Sequence, residues 1–275
     1  MKSPSNIKVK VWQLPGILLE EYKYTIGSVE PLPKHSHHEY QLGISFNCQG
    51  EYYYRGSYHP IPIGNLSIIH SGEVHSPSER TYLAEPATFW MMHVEPNILE
   101  TTAREINEQK TNLPFFIEPI LSDRFLRQLF CNLCLAVKNK AAILETESVS
   151  LEFFSRLVTQ QNSFDLKDYS SNKPAIKKIC DYLQANYTDN VSLAELANIV
   201  GMSRFYLSRL FHREKGLSLN AYLTQIRIDR AKKLLSQGTA ISTVAVATGF
   251  YDQSHFSDRF KRLVGTTPGN YQKEQ

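Results

Sequence analysis

A chain of 275 residues with 42% apolar and 21% charged residues is long enough for two folded domains, and this composition excludes large-scale disorder. Apolar runs stay far below the ~20 residues of a membrane span, and no signal-peptide pattern follows the N-terminal lysines. The cysteines are too few for a disulfide framework. We therefore expect a soluble protein of the reducing cytoplasm with no membrane partner. Residues 1–169 carry 15 Lys and Arg against 19 Asp and Glu, whereas residues 170–275 carry 15 against 8, so a polyanionic partner is expected for the C-terminal part alone, unless the asymmetry is chance.

The first part of the chain, from about Val9 to Val94, has the pattern of a β-domain. Short alternating and aromatic-rich stretches, such as Tyr40–Phe46, Tyr52–Tyr54 and Leu66–Ile69, are separated by glycines and prolines. Strands at such spacing, with turns between them, are typical of a sandwich or a barrel.

Apolar residues at helical spacing follow this β-domain, in Leu121–Lys138 and Ile143–Gln161. We expect these two helices to pack on the outside of the barrel or against a second subunit. Residues 162–173 are polar, and Pro174 follows them. The sequence therefore predicts a first domain over residues 1–162, a linker over 163–173 and a second domain over 174–275.

The second domain is predicted to be helical throughout. Proline suits the first turn of a helix, so Pro174 is expected to open one that runs to about Tyr187. Ser192 and Glu195 have the spacing of a capping box, and serines and glycines delimit the later helices. These predicted helices are Leu193–Val200, Arg204–Lys215, Leu219–Ser236, Ile241–Ala247, about Gln253–Val264, and a short Pro268–Gln272.

Two stretches of the second domain, at about 191–212 and 240–263, repeat one plan. Each has a short helix with a small inner residue, a glycine turn, and a second helix with a polar N-terminal half. This is the pattern of a helix-turn-helix unit, whose second helix reaches base edges in the major groove. The intervening helix of about 18 residues is ~27 Å long, which suits the ~34 Å spacing of successive major grooves. Any three-helix core can imitate one such unit, but a tandem pair in a cationic segment is far more specific.

Residues 174–272 resemble the DNA-binding domain of the AraC/XylS family of transcription regulators. The resemblance covers the whole domain and lies in Arg227–Leu235, Val244–Phe250, Ser254–Ser257, Phe260–Arg262 and Gly265–Pro268. It implies a sequence-specific regulator of transcription that binds double-stranded DNA and RNA polymerase and is not an enzyme. Regulators of this kind pair through the N-terminal domain, so a homodimer is expected, with the helices at 121–161 as its seam. We expect an activator, although the sequence also allows a repressor.

The facing of residues on the two recognition helices selects candidate DNA contacts. On the first, Phe205, Ser208 and Arg209 are expected to share an exposed face, and a guanidinium such as that of Arg209 can pair bidentately with guanine. On the second, Phe256 is expected to be buried with Phe260. The candidate set is Ser203, Arg204, Phe205, Ser208, Arg209, Lys215, Gln253, Ser254, His255, Ser257, Lys261 and Arg262, of which Lys215, Lys261 and Arg262 are expected to contact phosphates or to be ordinary solvated charges. Asp258 departs from the family pattern and puts direct readout by the second helix in doubt.

Two histidine-bearing stretches, Pro33–Tyr40 and Gly64–Ser76, resemble the cupin-type effector domain found at the N-terminus of AraC-family regulators. His70 stands where the cupin pattern has proline. The glutamate that metal-binding cupins place after the second histidine is also missing, because Gln41 and Leu42 occupy those positions. The histidines fit a metal site, a ligand pocket, or loop residues that satisfy backbone groups. We predict the ligand pocket, with no metal and no cofactor.

The resemblance thus implies an α+β fold, with an N-terminal cupin-like β-barrel and packed helices before a C-terminal all-α domain with two helix-turn-helix units. The expected effector is a small polar molecule, such as an amino acid or a related metabolite. Its predicted contacts are His35, His37, Glu39, Tyr40, Tyr52, Tyr54 and His75. Two alternatives stay open: a metal-dependent cupin enzyme with an accessory DNA-binding domain, and an architectural DNA binder without ligand response.

Overall fold

The computed structural model describes residues 3–29, 33–77, 82–107, 113–161 and 172–273. Its contacts divide the chain into an N-terminal unit, Met1–Lys140 with Glu152–Asp165, and a C-terminal unit, Ala141–Leu151 with Leu166–Gln275. The first unit contains the strands and the second is helical, so the predicted α+β fold class is confirmed. Within the described ranges, no helix has the length and apolar character needed to cross a membrane.

The strands of the N-terminal unit form sheets that stay separate within the described residues, so the predicted barrel is an open arrangement of facing sheets. The larger sheet has the order β1-β2-β10-β4-β7-β11, and two smaller ones have the orders β6-β5-β8 and β3-β9. The strands are β1 (Ile7–Leu14), β2 (Ile17–Tyr24), β3 (Gly27–Ser28), β4 (Tyr40–Ser45), β5 (Gly50–Tyr54), β6 (Ser57–Ile61), β7 (Leu66–Ile69), β8 (His75–Pro77), β9 (Tyr82–Leu83), β10 (Ala87–Val94) and β11 (Ile120–Leu121).

The register of the larger sheet assigns its two faces. In the antiparallel pair β2–β10, Glu21 lies opposite Trp90 and Glu20 opposite Met91. Because successive residues of a strand point to opposite faces, these two pairs lie on different sides of the sheet. The face of Glu21 is a packed core, where Lys138 binds the Glu21 carboxylate at 2.7 Å and its ammonium lies over the Trp90 ring. The face of Glu20 is the one that lines a cavity.

One helix, α1 (Pro96–Asn107), follows β10, and two more, α2 (Arg124–Lys138) and α3 (Ile143–Gln161), follow β11. The sequence did not predict α1, and α2 begins three residues later than expected. Asp123 caps α2 because its carboxylate accepts from the backbone amides of Phe125 and Leu126 at 2.7 and 3.0 Å.

The remaining helices form the C-terminal unit, and they follow the predicted boundaries closely. They are α4 (Lys173–Ala185), α5 (Leu193–Val200), α6 (Arg204–Lys215), α7 (Leu219–Ser236), α8 (Ile241–Ala247), α9 (Gln253–Val264) and α10 (Pro268–Lys273). Most of the predicted linker, 163–173, lies outside the described residues. The Ser192 hydroxyl caps α5, but the Glu195 carboxylate accepts from the Tyr182 hydroxyl, so the capping box is only half formed.

Candidate functional site

The first helix-turn-helix unit consists of α5 and α6, joined at Gly201. Gly201 has φ of 63°, a left-handed conformation that glycine adopts without strain, and it ends α5. Ser203 then caps α6, because its hydroxyl accepts from the backbone amide of Tyr206 at 3.1 Å. Leu207 and Phe211 are fully buried, whereas Arg209 is exposed. The unit therefore presents the Arg209 guanidinium to solvent from a well-anchored helix.

The expectation that Phe205 lies exposed beside Arg209 is wrong. Phe205 is only 5% exposed, and the Arg209 guanidinium lies over its ring, 5.5 Å from the centroid. The spacing argument aligned the two residues because they are four apart on α6, but it took no account of the free energy gained when a large apolar ring is covered. The buried Phe205 ring therefore packs against the Arg209 guanidinium and is not itself an exposed surface.

The second unit consists of α8 and α9, and its turn is held against backbone. Gly249 has φ of +80°, and a Cβ there would lie 2.7 Å from the carbonyl oxygen of Thr188. Asp252 caps α9 by accepting from the backbone amide of His255 at 2.7 Å. The core beneath this unit is formed by Ile228, Ala231, Leu235, Val244, Ala245, Phe250, Phe256 and Phe260, so the predicted burial of Phe256 and Phe260 is confirmed.

The candidate DNA contacts on α9 fall into two groups. Gln253 and Ser254 are exposed and Ser257 is half-buried. The His255 side chain is instead engaged within the unit, because its Nε2 accepts from Arg259 Nε at 3.2 Å, and burial lowers its pKa. Of the other candidates, Ser203, Arg204 and Ser208 are half-buried, whereas Lys215, Lys261, Arg262 and also Asp258 are exposed.

Arg227 of α7 connects the two helix-turn-helix units. The resemblance included this residue, but sequence reasoning gave it no role. It is only 5% exposed, and its guanidinium donates to the backbone carbonyls of Tyr187 at 2.7 Å and Asp189 at 2.9 Å. Thr188, between these two residues, is the one that approaches Gly249. The loop between α4 and α5 is therefore joined to the linker helix and to the turn of the second unit, which holds the two recognition helices in one body.

The first turns of α3 are also part of the C-terminal unit. The Glu145 carboxylate forms an ion pair with Arg259 of α9, with side-chain exposures of 16% and 28%. The Glu147 carboxylate accepts from the backbone amide of Leu193, the first residue of α5. Glu147 thus stabilises the N-terminus of α5, whereas Glu145 pairs with a charge in the middle of α9, so each helix-turn-helix unit receives one acidic contact from α3. This placement differs from the expectation that the whole of α3 packs on the barrel or a second subunit.

A cavity of about 320 Å³ lies in the N-terminal unit, between the larger sheet and the sheet β6-β5-β8. Its walls are mostly aromatic and apolar, with a few carboxylates, imidazoles and hydroxyls. The residues that carry polar or aromatic groups into it are Glu20, Tyr22, Tyr24, His35, Gln41, Ser45, Gln49, Glu51, Tyr52, Ser67, His75, Phe89 and His93. A concave, mostly apolar space with a few convergent polar groups is the usual form of a small-molecule site.

Of the predicted effector contacts, His35, Tyr52 and His75 line this cavity. His37 lies behind them, 5.0 Å from both the His75 and His93 rings, with its Nε2 3.1 Å from the Gln41 amide oxygen. Glu39, Tyr40 and Tyr54 are not among the lining residues: the Tyr40 hydroxyl donates to the carbonyl of Pro114, and the Tyr54 hydroxyl to the Glu73 carboxylate.

Sequence reasoning missed Glu20 and His93, which meet on neighbouring strands. The His93 Nε2 lies 3.4 Å from Glu20 Oε2, and the Tyr22 hydroxyl donates to the same carboxylate at 3.1 Å. Burial lowers the pKa of His93, which favours its neutral form. One signal was available: Glu20 and Glu21 are consecutive on a strand with neighbours on both sides, so one carboxylate must enter each face.

The imidazoles near the cavity share one orientation. Nδ1 of His35 donates to the carbonyl of Pro33 at 2.9 Å, Nδ1 of His37 to that of Glu39 at 2.9 Å, and Nδ1 of His75 to that of Glu73 at 3.1 Å. Carbonyls only accept, so each of these Nδ1 atoms carries a proton, and in the neutral His75 ring Nε2 keeps a lone pair. In the part of the chain that the structure describes, no group of three or more His, Cys, Asp or Glu has the geometry to hold a metal ion.

Comparison with known proteins agrees with this two-part organisation. A family model described as an AraC-like ligand binding domain matches residues 29–154, and one described as a helix-turn-helix domain matches residues 196–274. An HTH-type transcriptional regulator of Bacillus subtilis, YbfI, is 29% identical over 88% of this chain and 86% of its own length. The transcriptional activator RhaS of Pectobacterium carotovorum is 29% identical over 46% of this chain and 45% of its own. Among solved structures, the C-terminal domain of AraT, a response regulator of Geobacillus stearothermophilus, is 30% identical over 38% of this chain and 89% of that one, with a TM-score of 0.37.

A ligand-binding sheet domain followed by paired helix-turn-helix units defines a class of protein, the effector-binding transcription regulator. The chain belongs to the AraC family of these regulators, as the sequence resemblance implied. YbfI and RhaS are both regulators of transcription.

Proposed function

We propose that the chain controls transcription by laying both recognition helices into successive major grooves of one DNA duplex, under the control of a molecule bound in the N-terminal cavity. The observation that carries this proposal is the connection made by Arg227, which holds the two helix-turn-helix units in one body while Arg209 and Gln253 remain exposed. Two grooves are recognised together only if the two helices are fixed relative to each other.

Arg209 is the proposed base-reading residue. Its guanidinium is exposed on α6 and supported by the Phe205 ring, and such a fork pairs bidentately with guanine. On α9, Gln253 and Ser254 are the exposed candidates, while exposed Lys215, Lys261 and Arg262 are proposed to contact phosphates.

Fluorescence anisotropy of the full-length protein tests this assignment. The affinity for genomic fragments that the protein selects is compared with its affinity for random DNA. Arg209→Ala should weaken binding to the selected site by about tenfold or more, since a bidentate contact carries ~1–3 kcal/mol, and should weaken random binding much less. The matched control is Lys215→Ala, which should weaken both by similar factors. Equal losses for Arg209→Ala on both DNAs would make Arg209 a phosphate contact and overturn its role as reader.

The cavity is the proposed effector site, with His35, Tyr52, His75, Glu20 and His93 as its polar contacts. Most of its lining residues fall within residues 29–154, which the ligand-binding family model matches, and it combines aromatic walls with a few polar groups. A molecule that binds the folded state raises the melting temperature of the full chain. Metabolites are screened for an increase in this melting temperature, and those that raise it are then tested for an effect on DNA affinity. A chain that no metabolite stabilises would instead be an architectural DNA binder.

A homodimer that works with RNA polymerase in the cytoplasm, most simply as an activator, completes the proposal. The exposed Phe125 and Leu135 on α2 support self-association of the N-terminal unit. Light scattering after size exclusion at micromolar concentration should give twice the chain mass, and a monomer would contradict it. We also propose that the chain performs no catalysis, because YbfI, which it matches over most of both lengths, is a regulator. Turnover of a substrate by the purified, metal-loaded protein would refute this.

A further inference from the structure

The most buried polar side chain of the described cavity lining is that of His75. His75 is 1% exposed, and its Nε2 has no hydrogen-bond partner among the described residues. Its Nδ1 donates to the Glu73 carbonyl, and burial lowers its pKa to about 4, so the ring is neutral at physiological pH and Nε2 is an acceptor. A buried acceptor without a donor costs free energy, which a ligand N–H or O–H group would recover.

The charged side chains of the described cavity wall include carboxylates and no lysine or arginine. The two carboxylates are those of Glu20 and Glu51. The Glu20 side chain is only 17% exposed, and its ionic neighbour is His93, whose pKa burial lowers. The carboxylate of Glu20 therefore meets neutral partners at physiological pH, and a cation in the cavity would complement it.

Aromatic rings line the same cavity as this carboxylate. The rings of Tyr22 and Tyr24 are stacked with centroids 6.3 Å apart, and Phe89 meets Tyr24 edge-on at 5.8 Å. All three line the cavity. Aromatic faces beside a carboxylate attract organic cations and offer no stabilisation to a carboxylate or phosphate.

We propose that the effector is a protonated amine without a carboxylate group, whose ammonium lies against Glu20 and the aromatic rings and whose N–H or O–H donors meet the Nε2 lone pair of His75. This inference rests on the proposed function, because it names the ligand class of the same cavity. It replaces the expectation of an amino acid, whose carboxylate would find no cationic partner among the described lining residues.

Three probes of one shape and different head groups test the class: 2-phenylethylamine, 2-phenylethanol and 3-phenylpropionate. The full-length chain is melted with each at millimolar concentration, and affinities are measured by calorimetry. The ammonium should stabilise the chain, the alcohol less, and the carboxylate not at all. Greater stabilisation by the alcohol or the carboxylate would overturn the amine class while leaving an effector site in place.

Substitution locates the binding. Glu20→Gln should weaken the ammonium by about tenfold or more, as expected for a charge-assisted hydrogen bond, and leave the alcohol unchanged. Glu85→Gln, at an exposed carboxylate that does not line the cavity, is the matched control. Equal ammonium affinity for wild type and Glu20→Gln would overturn the proposal, as would the absence of binding by all three probes. If none of the probes binds but a small-molecule extract still alters DNA affinity, the proposal of an amine is wrong while the proposed effector function stands.

Discussion

Gly249 offers the sharpest perturbation of the geometry that joins the two helix-turn-helix units. An alanine there meets two penalties, one from the backbone angle and one from contact. The φ of +80° costs an L-residue about 1 kcal/mol. The Cβ would also lie 2.7 Å from the carbonyl oxygen of Thr188, and this loop cannot move freely because Arg227 binds the carbonyls on both sides of Thr188.

Forced overlap in a packed region costs about 1–3 kcal/mol, so Gly249→Ala should destabilise the C-terminal unit by roughly 3 kcal/mol in total. Gly238→Ala is the matched control, because Gly238 also has φ of +80° but a Cβ there meets nothing within 4 Å. That variant should lose only about 1 kcal/mol. The difference between the two isolates the contact with Thr188.

Thermal unfolding followed by ellipticity at the helical band reports mainly the C-terminal unit, which holds most of the helical residues, whereas fluorescence of Trp12 and Trp90 reports the N-terminal unit. Since about 1 kcal/mol shifts the melting temperature of a domain of this size by roughly 4–8 °C, the helical transition should fall by ~10 °C or more for Gly249→Ala and by ~5 °C for Gly238→Ala. Equal shifts for both variants would refute the contact, and with it the claim that this turn is braced by the Thr188 backbone.

Three further predictions concern buried polar groups. Arg227→Met leaves the carbonyls of Tyr187 and Asp189 unpaired and should destabilise the C-terminal unit by about 2–4 kcal/mol in the same thermal assay. Because the pKa of His75 is lowered to about 4 in the fold, its contribution to stability is complete above its ordinary value of 6.5 and is lost as the pH falls; between pH 7 and 5 the free energy of unfolding, followed in urea by tryptophan fluorescence, should drop by about 2 kcal/mol. Glu145→Gln removes the carboxylate that pairs with Arg259 and should raise affinity for DNA several-fold at low salt, measured by fluorescence anisotropy.

Each of these has its own control. Arg227→Lys keeps the charge but only part of the donor geometry, so stability equal to wild type would show that the charge and not the fork matters. His75→Gln should flatten the pH dependence, and an unchanged slope would assign it to other groups. For Glu145→Gln, unchanged or weaker DNA binding would mean that the ion pair with Arg259 places the helix rather than masking its charge.

The helical half of the fold could be predicted because its signals are local. Ser192, Ser203 and Ser218 cap the helices that their positions indicated, and Gly201 and Gly216 end helices in the left-handed conformation expected of them. Spacing alone could not show how deeply each side chain is buried. Phe205 was placed on an exposed face by a helical repeat that ignores the size of the residue, and the burial of Arg227 was not predicted at all.

The cavity could be predicted only in part, because its lining depends on which face each strand residue occupies. The alternation along β4 places Gln41 and Tyr40 on opposite faces, but both faces are buried, so the pattern alone does not show which of the two enters the cavity. The pairing of Glu20 with His93 depends in the same way on the register of β2 against β10, which no local pattern encodes. Local patterns therefore sufficed for the family and its DNA-binding helices. The charge of the cavity, from which the amine proposal follows, required the sheet register, and a resemblance to relatives conveys the fold of such a pocket without the sign of the charge it will accept.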